Sequence, residues 1–261
     1  MMSGRPHILG ERSLGRSDKA LPEVAVLPWG ATEPHNLHLP FGTDTFQAEA
    51  VAAEASRMAS ERGARVIVLP AIPIGANAQQ LSTPLTLNLH PSTQARVLAD
   101  ILESLEHHEV RKLLVLNGHG GNDFKQIVRE LQPSFDVFIC CSNWWSVLDA
   151  SAYFDDPGDH AGELETSVML YLRPELVLGL DEAGSGAARR FRLSGLREGV
   201  AWAPRDWASV TSDTGVGDPS AATEAKGQQF FGDVCRTLAD FLVDLSGADV
   251  TDLYETDGSD I

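Results

Sequence analysis

Cysteine is scarce in this chain: three residues in 261, Cys140, Cys141 and Cys235. Two are neighbours and the count is odd, so no disulfide framework fits and a reducing compartment, the cytoplasm, is expected. The absence of any Cys-x-x-Cys pair excludes a thiolate metal cluster. Basic residues are also few: 20 Lys and Arg against 37 Asp and Glu, a formal charge of −17. Such a surface repels phosphate backbones, which argues against nucleic acid as a partner. No run approaches the roughly 20 apolar residues of a membrane helix. The opening MMSGRPHILGERSLGR lacks the apolar stretch of a secretory signal. There is no G-x-S-x-G nucleophile elbow and no G-x-x-x-x-G-K-[ST] phosphate loop.

What is present reads as α/β. Apolar residues make up 43% and charged residues 22%, ordinary for a globular chain, and the length suffices for one large domain with a buried core. Short apolar runs predict strands at Val24–Pro28, Arg65–Leu69, Lys112–Leu116 and Asp136–Cys141. Helical patterns run from Asp44, as N-cap, to Arg62; from a Ser92 cap to about His108; from beyond NGHGGN to about Leu131; and from Leu164 to Leu172. A last helix over 220–245 carries an apolar stripe of Phe230, Phe231, Val234, Leu238, Phe241, Leu242 and Leu245. Strands alternating with helices predict a mostly parallel sheet covered on both faces. One domain spans 1–261, with loose ends expected at about 1–20 and 248–261. Residues 180–219 carry no periodic signal.

In such sheets ligands gather beyond the carboxyl ends of the strands. The loop after the first strand, GATEPHNLHLPFGTD, holds Glu33, His35, His38 and Asp44; the loop after the third holds His119 within NGHGGN. A single His or Glu in a loop is ordinarily structural or solvated, but here two separate loops open on the same sheet edge. Mixed carboxylate and imidazole donors suit zinc, manganese or iron. A third segment, DHAGELETS, offers His160, Glu163 and Glu165. Acidic residues also suit the first turn of a helix, so that plainer reading stays open for Glu163. Glycines between a strand and a helix can cradle an anion, but NGHGGN matches neither phosphate-binding signature. Trp144 and Trp145 follow the fourth strand, where an aromatic pair either fills the core or floors a pocket.

These motifs resemble the creatininase (creatinine amidohydrolase) family. Gly30, Ala31, Glu33, His35, His38, Leu39, Pro40, Gly42, Thr43 and Asp44 match its first motif; Asn117 to Asn122 match N-G-H-G-G-N; His160, Ala161, Gly162, Glu165, Thr166 and Ser167 match H-A-G-x-x-E-T-S. The resemblance implies a three-layer α/β/α sandwich and two divalent metal ions per subunit. Asp44 would bridge them, with Glu33 and His119 on one and His35 and Glu165 on the other. It also implies a homo-hexamer built as a trimer of dimers. The expected reaction is attack of a metal-held water on a small-molecule amide, with His160, or Glu163, handling the proton of the departing amine.

Two departures bear on the substrate. Creatininase proper carries a Tyr and a metal-binding Glu after the His of its second motif, where this chain has Gly120 and Gly121, so the resemblance makes Glu165 the last ligand. The loop after the second strand carries Gly75, Asn77, Gln79, Gln80, Thr83, Pro84, Leu85 and Thr86, with amides where many members have His and an acid. Asn77, Gln80, Trp144 and Trp145 are therefore the expected pocket wall, and creatinine is not the expected substrate. Rival readings are a formamide hydrolase acting on a purine or pyrimidine intermediate, a peptidase of the mycofactocin-maturation type, and a metal- or ligand-binding module without turnover.

Overall fold

In the computed structural model, which describes residues 5–16 and 21–255, four strands line up in parallel in the order β2-β1-β3-β4. They are β1 (Val24–Trp29), β2 (Val66–Val68), β3 (Lys112–Asn117) and β4 (Phe138–Asn143). The helices are α1 (Thr43–Glu61), α2 (Pro91–His107), α3 (Phe124–Leu131), α4 (Glu163–Leu172), the single turns α5 (Ser194–Arg197) and α6 (Trp207–Val210), and α7 (Glu224–Gly247).

The two-residue alternation of a strand explains the layers. Val24 and Val26 of β1 and Leu114 and Leu116 of β3 face one way, into a core with Val51 and Ala55 of α1 and Phe230, Val234 and Leu238 of α7. Ala25, Leu27 and Trp29, with Leu113 and Val115, face the other way, onto Leu98 and Leu102 of α2 and Phe124 and Ile127 of α3. Every residue of β1 and β3 is buried, as a parallel sheet covered on both faces requires. The result is a three-layer α/β/α sandwich. No helix among the described residues is long and apolar enough to cross a membrane.

Several expectations shift. The fourth strand lies two residues later than its apolar run, because Asn117 at the end of β3 pairs in register with Asn143. Asp44 is not the N-cap of α1; Gly42 occupies that place and Asp44 stands in the first turn. Helix α2 starts with Pro91 at its first position, behind His90, and not from Ser92. Phe241 leaves the stripe of α7 and is 41% exposed, while Leu238 and Leu242 stay buried. The ends expected to be loose fall partly at 1–4, 17–20 and 256–261, outside the described residues. Within the described ones, Ile8 bridges to Val68 and the Val68 amide donates to the His7 carbonyl.

Candidate metal centre

The chain winds from β1 to β2 on one side and adds β3 on the other, so the strand order reverses between β1 and β3. A crevice at such a point is the usual ligand site of an open parallel sheet. The loop after β1 brings Glu33 and His35 there, the first turn of α1 brings Asp44, and the loop after β3 brings His119. Gly118 permits this approach: a Cβ on it would stand 2.4 Å from the Asp44 carbonyl oxygen.

The asparagines of NGHGGN build the loop. Asn117 Nδ2 donates to the His119 carbonyl at 2.8 Å and to Asn143 Oδ1 at 2.9 Å, while Asn117 Oδ1 accepts from the His119 amide and from Asn122 Nδ2. Asn122 Oδ1 in turn accepts from the Ala76 amide at 3.0 Å and from Gln94 Nε2 at 2.7 Å. This amide network ties the loop after β3 to the loop after β2 and to α2.

Each imidazole is held by one nitrogen and presents the other. His35 Nδ1 bonds the Glu33 carbonyl at 3.0 Å, leaving Nε2 at 2.9 Å from Asp44 Oδ1 and 3.8 Å from Glu165 Oε1. His119 Nε2 bonds the Ala76 carbonyl at 3.2 Å, leaving Nδ1 at 2.9 Å from Glu33 Oε1 and 3.1 Å from Asp44 Oδ2. Carbonyl partners of this kind fix the tautomer and aim the free lone pair, the usual outer support of a ligating histidine. Asp44 thus turns one oxygen towards each histidine, and Oδ2, though close to His119, has no aligned hydrogen-bond donor. Potential ligand atoms fall into the triads Glu33–Asp44–His119 and His35–Asp44–Glu165, with a further grouping of Glu33, His35 and His160.

The electrostatics favour cations. Glu33, His35 and Asp44 are essentially inaccessible, and no Lys or Arg among the described residues pairs with Glu33, Asp44 or Glu165. Burial alone would lower the His35 pKa, but Asp44 beside it, with Glu165 and Glu33 behind, lifts it to about 10. His119 rises well above its ordinary value against the same burial, through Glu33 and Asp44. Burial pushes the Glu165 carboxyl up. A buried group of acids that draws protons onto its imidazoles is a group that takes positive charge readily. Its oxygen and nitrogen donors fit divalent zinc, manganese or iron.

The remaining predicted residues divide. His160 joins the cluster: its ring lies 4.2 Å from that of His35, Nδ1 is 3.9 Å from Glu33 Oε1, and Nε2 donates to the Pro34 carbonyl at 2.9 Å. Glu163 does not join it. Its carboxylate, with no exposed side-chain surface, forms an ion pair with Lys226 of α7 and accepts from the Asp156 amide at 3.0 Å. Trp144, 1% exposed, packs in the α7-side core 6.1 Å from the Phe230 ring, and half-buried Trp145 packs against the same core. Both tryptophans are placed as core, not as pocket floor. Asn77 and Gln80 are fully buried on the loop after β2; Asn77 Oδ1 and both polar atoms of Gln80 lack partners. His38, outside the triads, bonds Thr166 Oγ1 at 2.9 Å.

Sequence reasoning missed Trp207. It comes from the aperiodic stretch 180–219 and lies 4.9 Å from the His160 ring at 66°. A buried tryptophan in a polar, irregular segment is a signal of a kind, though no periodicity announces it.

The fold and its motifs have counterparts among known proteins. The family model for creatininase, creatinine amidohydrolase, matches residues 16–242. A mycofactocin precursor peptide peptidase of Mycobacterium ulcerans (strain Agy99) is 32% identical over 241 residues, covering 88% of this chain and 89% of that one. A crystal structure from Bacteroides fragilis NCTC 9343, provisionally named a creatinine amidohydrolase, superposes with a TM-score of 0.91 at 41% identity, over 97% of this chain and 100% of that one. A creatininase mutant in a Zn–Zn form shares the fold at TM-score 0.71 and 24% identity, over 92% and 98%. The three motifs, the parallel sandwich and the family model coincide over most of the length, and the chain belongs to the creatininase family of hydrolases.

Proposed function

We propose that the protein is a metal-dependent amidohydrolase cleaving a C–N bond in a small cyclic or linear amide, with two divalent cations held by Glu33, His35, Asp44, His119 and Glu165. The observation that carries this reading is the pair of triads sharing Asp44. Glu33 and His119 would serve one cation, His35 and Glu165 the other, and Asp44 both; zinc is the first choice for this donor set, and manganese and iron also fit it. Such cations supply an acidified water and a polarised carbonyl.

The rest falls to the chain's own side chains. His160 has Nε2–H engaged by the Pro34 carbonyl, so Nδ1 is the atom free to take a proton and return it to the departing amine. Glu163, neutralised by Lys226, has no part in this. Asn77 Oδ1 and the Gln80 amide lack partners but are fully buried on the loop after β2, so they would meet a polar substrate only on movement of that loop. Gly120 and Gly121 leave the space after His119 without a carboxylate, which makes Glu165 necessary for the second cation.

A second reading, a peptidase, is favoured by the likeness to the mycofactocin precursor peptide peptidase. A groove of about 340 Å³ lies between the loop after β2, at Ala78–Ser82, and Pro204–Asp206.

The test is to load the metal-free protein with zinc, manganese or iron, measure bound metal, and assay creatinine, other cyclic amides, formamides and short peptides. About two metals per chain and turnover of one class are expected, with both lost in Asp44→Asn. Metal binding without turnover would make the protein a binding module. Full metal and activity in Asp44→Asn would refute the bridging role.

A further inference from the structure

His160 is held from several directions by one later segment of the chain. Its amide donates to the Val216 carbonyl at 3.0 Å and its carbonyl accepts from the Val216 amide at 2.8 Å, an isolated antiparallel bridge. The neighbouring Asp159 amide donates to the same Val216 carbonyl at 2.7 Å. Thr214 Oγ1 reaches the Pro34 carbonyl at 3.4 Å, the acceptor that also receives His160 Nε2–H. Trp207 sets its ring against the imidazole and is 6% exposed, although Asp206 and Ala208 on either side of it are open to solvent.

A latch lies outside this contact. The Arg205 guanidinium sits 5.0 Å over the Trp207 ring and pairs with the Asp159 carboxylate at 2.5 Å. The α6 turn that carries Trp207 packs on Ala78–Gln80, so the segment also closes over the loop that holds the unpartnered amides. At its far end Asp213 is pinned, accepting from the amides of Gly186 and Gly215. Ala161, directly after His160, is fully buried and left-handed at φ 51°, a conformation unfavourable to an L side chain. A strained backbone persists only where its surroundings over-determine it. Two backbone bonds to Val216 hold the His160 main chain, while the Pro34 carbonyl, which Thr214 also reaches, and the Trp207 ring hold its imidazole.

We propose that residues 204–217 form a clamp that sets the orientation of His160, with Trp207 as its positioning residue and the Arg205–Asp159 ion pair as its latch. Trp207 belongs to neither triad and acts through His160. The consequence for reactivity rests on the amidohydrolase reading above; the clamp itself does not.

The test therefore has two arms. In the first, the zinc-loaded protein is treated with diethyl pyrocarbonate, and modification of each histidine is followed by peptide mass spectrometry. In the wild type, His160 labels slowly; in Trp207→Ala it labels several times faster, in Trp207→Phe it stays near the wild-type rate, and in Asp159→Asn it falls between. The exposed His90, His107 and His108 serve as internal references whose rates stay constant. In the second arm, Trp207→Ala lowers kcat about a hundredfold on whichever amide is turned over, with KM and bound metal little changed, because a catalytic group displaced by about 1 Å loses most of its effect. Trp207→Phe restores most of that loss, which a purely structural role would not predict. Unchanged His160 labelling in both Trp207→Ala and Asp159→Asn overturns the clamp. If no amide is turned over, the amidohydrolase reading falls while the labelling arm still decides the clamp. If Trp207→Ala does not fold, Asp159→Asn, at a largely exposed side chain, decides it.

Discussion

Gly120 and Gly121 are indistinguishable by residue type, yet the structure assigns them opposite tolerances. A Cβ on Gly121 would stand 2.4 Å from both the Ala76 carbonyl oxygen and His119 Nε2, whereas a Cβ on Gly120 meets nothing within 4 Å. Neither glycine has a positive φ, so sterics alone separate them. The two atoms met at Gly121 are the hydrogen-bonded pair that orients the His119 ring. A methyl group there falls about 1 Å short of ordinary van der Waals contact and has to force the pair apart. Overpacking of this kind costs roughly 1–3 kcal/mol, which for a domain of this size lowers Tm by about 4–8 °C at 2 kcal/mol. Losing the outer hydrogen bond of a ligating histidine weakens metal binding by about 10- to 100-fold. Gly121→Ala is therefore expected to lose both stability and zinc affinity, measured by thermal melts and by competition with a chromophoric chelator. Gly120→Ala is expected to keep both, or to gain a few tenths of a kcal/mol from a stiffer unfolded chain. Equal behaviour of the two variants would sink the argument, since the difference rests on nothing but the packing around the two positions.

Glu163→Gln is expected to keep bound metal and turnover within a few-fold of wild type while lowering Tm, because its partners are Lys226 and the Asp156 amide; a proton-handling role would instead cost about 10²- to 10⁴-fold in rate. Burial, helped by the charge of His35, lowers the His38 pKa from 6.5 to about 4. The unfolded chain then binds a proton that the folded chain refuses, so stability contributed by His38 is present above pH 6.5 and is lost as pH falls towards 4. Urea midpoints measured across that window should drop with pH, and the slope should flatten in His38→Gln, which can still bond Thr166; an unchanged slope would remove His38 as the cause. Phe230→Ala, at a fully buried ring among Trp144, Tyr153 and Phe154, should destabilise by about 3–5 kcal/mol. A loss below about 1 kcal/mol in chemical denaturation would mean the core collapses around the gap.

Much of the layout was legible because its signals are local. Each strand is a short apolar run, and each loop that carries Glu33, His35 or His119 follows directly on such a run. Asp44 belongs to the same continuous motif as Glu33, so neighbours in sequence become neighbours in the site. The β4 boundary moved because Asn143 stays opposite Asn117, and the caps of α1 and α2 moved two residues earlier, to Gly42 and His90.

At the site, the residues that fell elsewhere than expected differ in which way a side chain faces. Glu163 and Glu165 are two residues apart, about 200° around a helix. One therefore meets Lys226 of α7, the other His35. The family motif singles out Glu165, but nothing near Glu163 in the sequence announces its partner, because Lys226 arrives from far along the chain. Trp144 lies in the core against Phe230, which comes from a distant helix. Trp207 reaches His160 out of a segment with no periodicity at all. Residue type and local order specify a parallel α/β chain and mark Glu33, His35, Asp44, His119 and Glu165 as candidate ligands, the last through the family motif. Tertiary contacts supply what no local pattern carries: Lys226 neutralises Glu163, and Trp207 sets its ring against His160, because packing brings together charges and rings from distant elements.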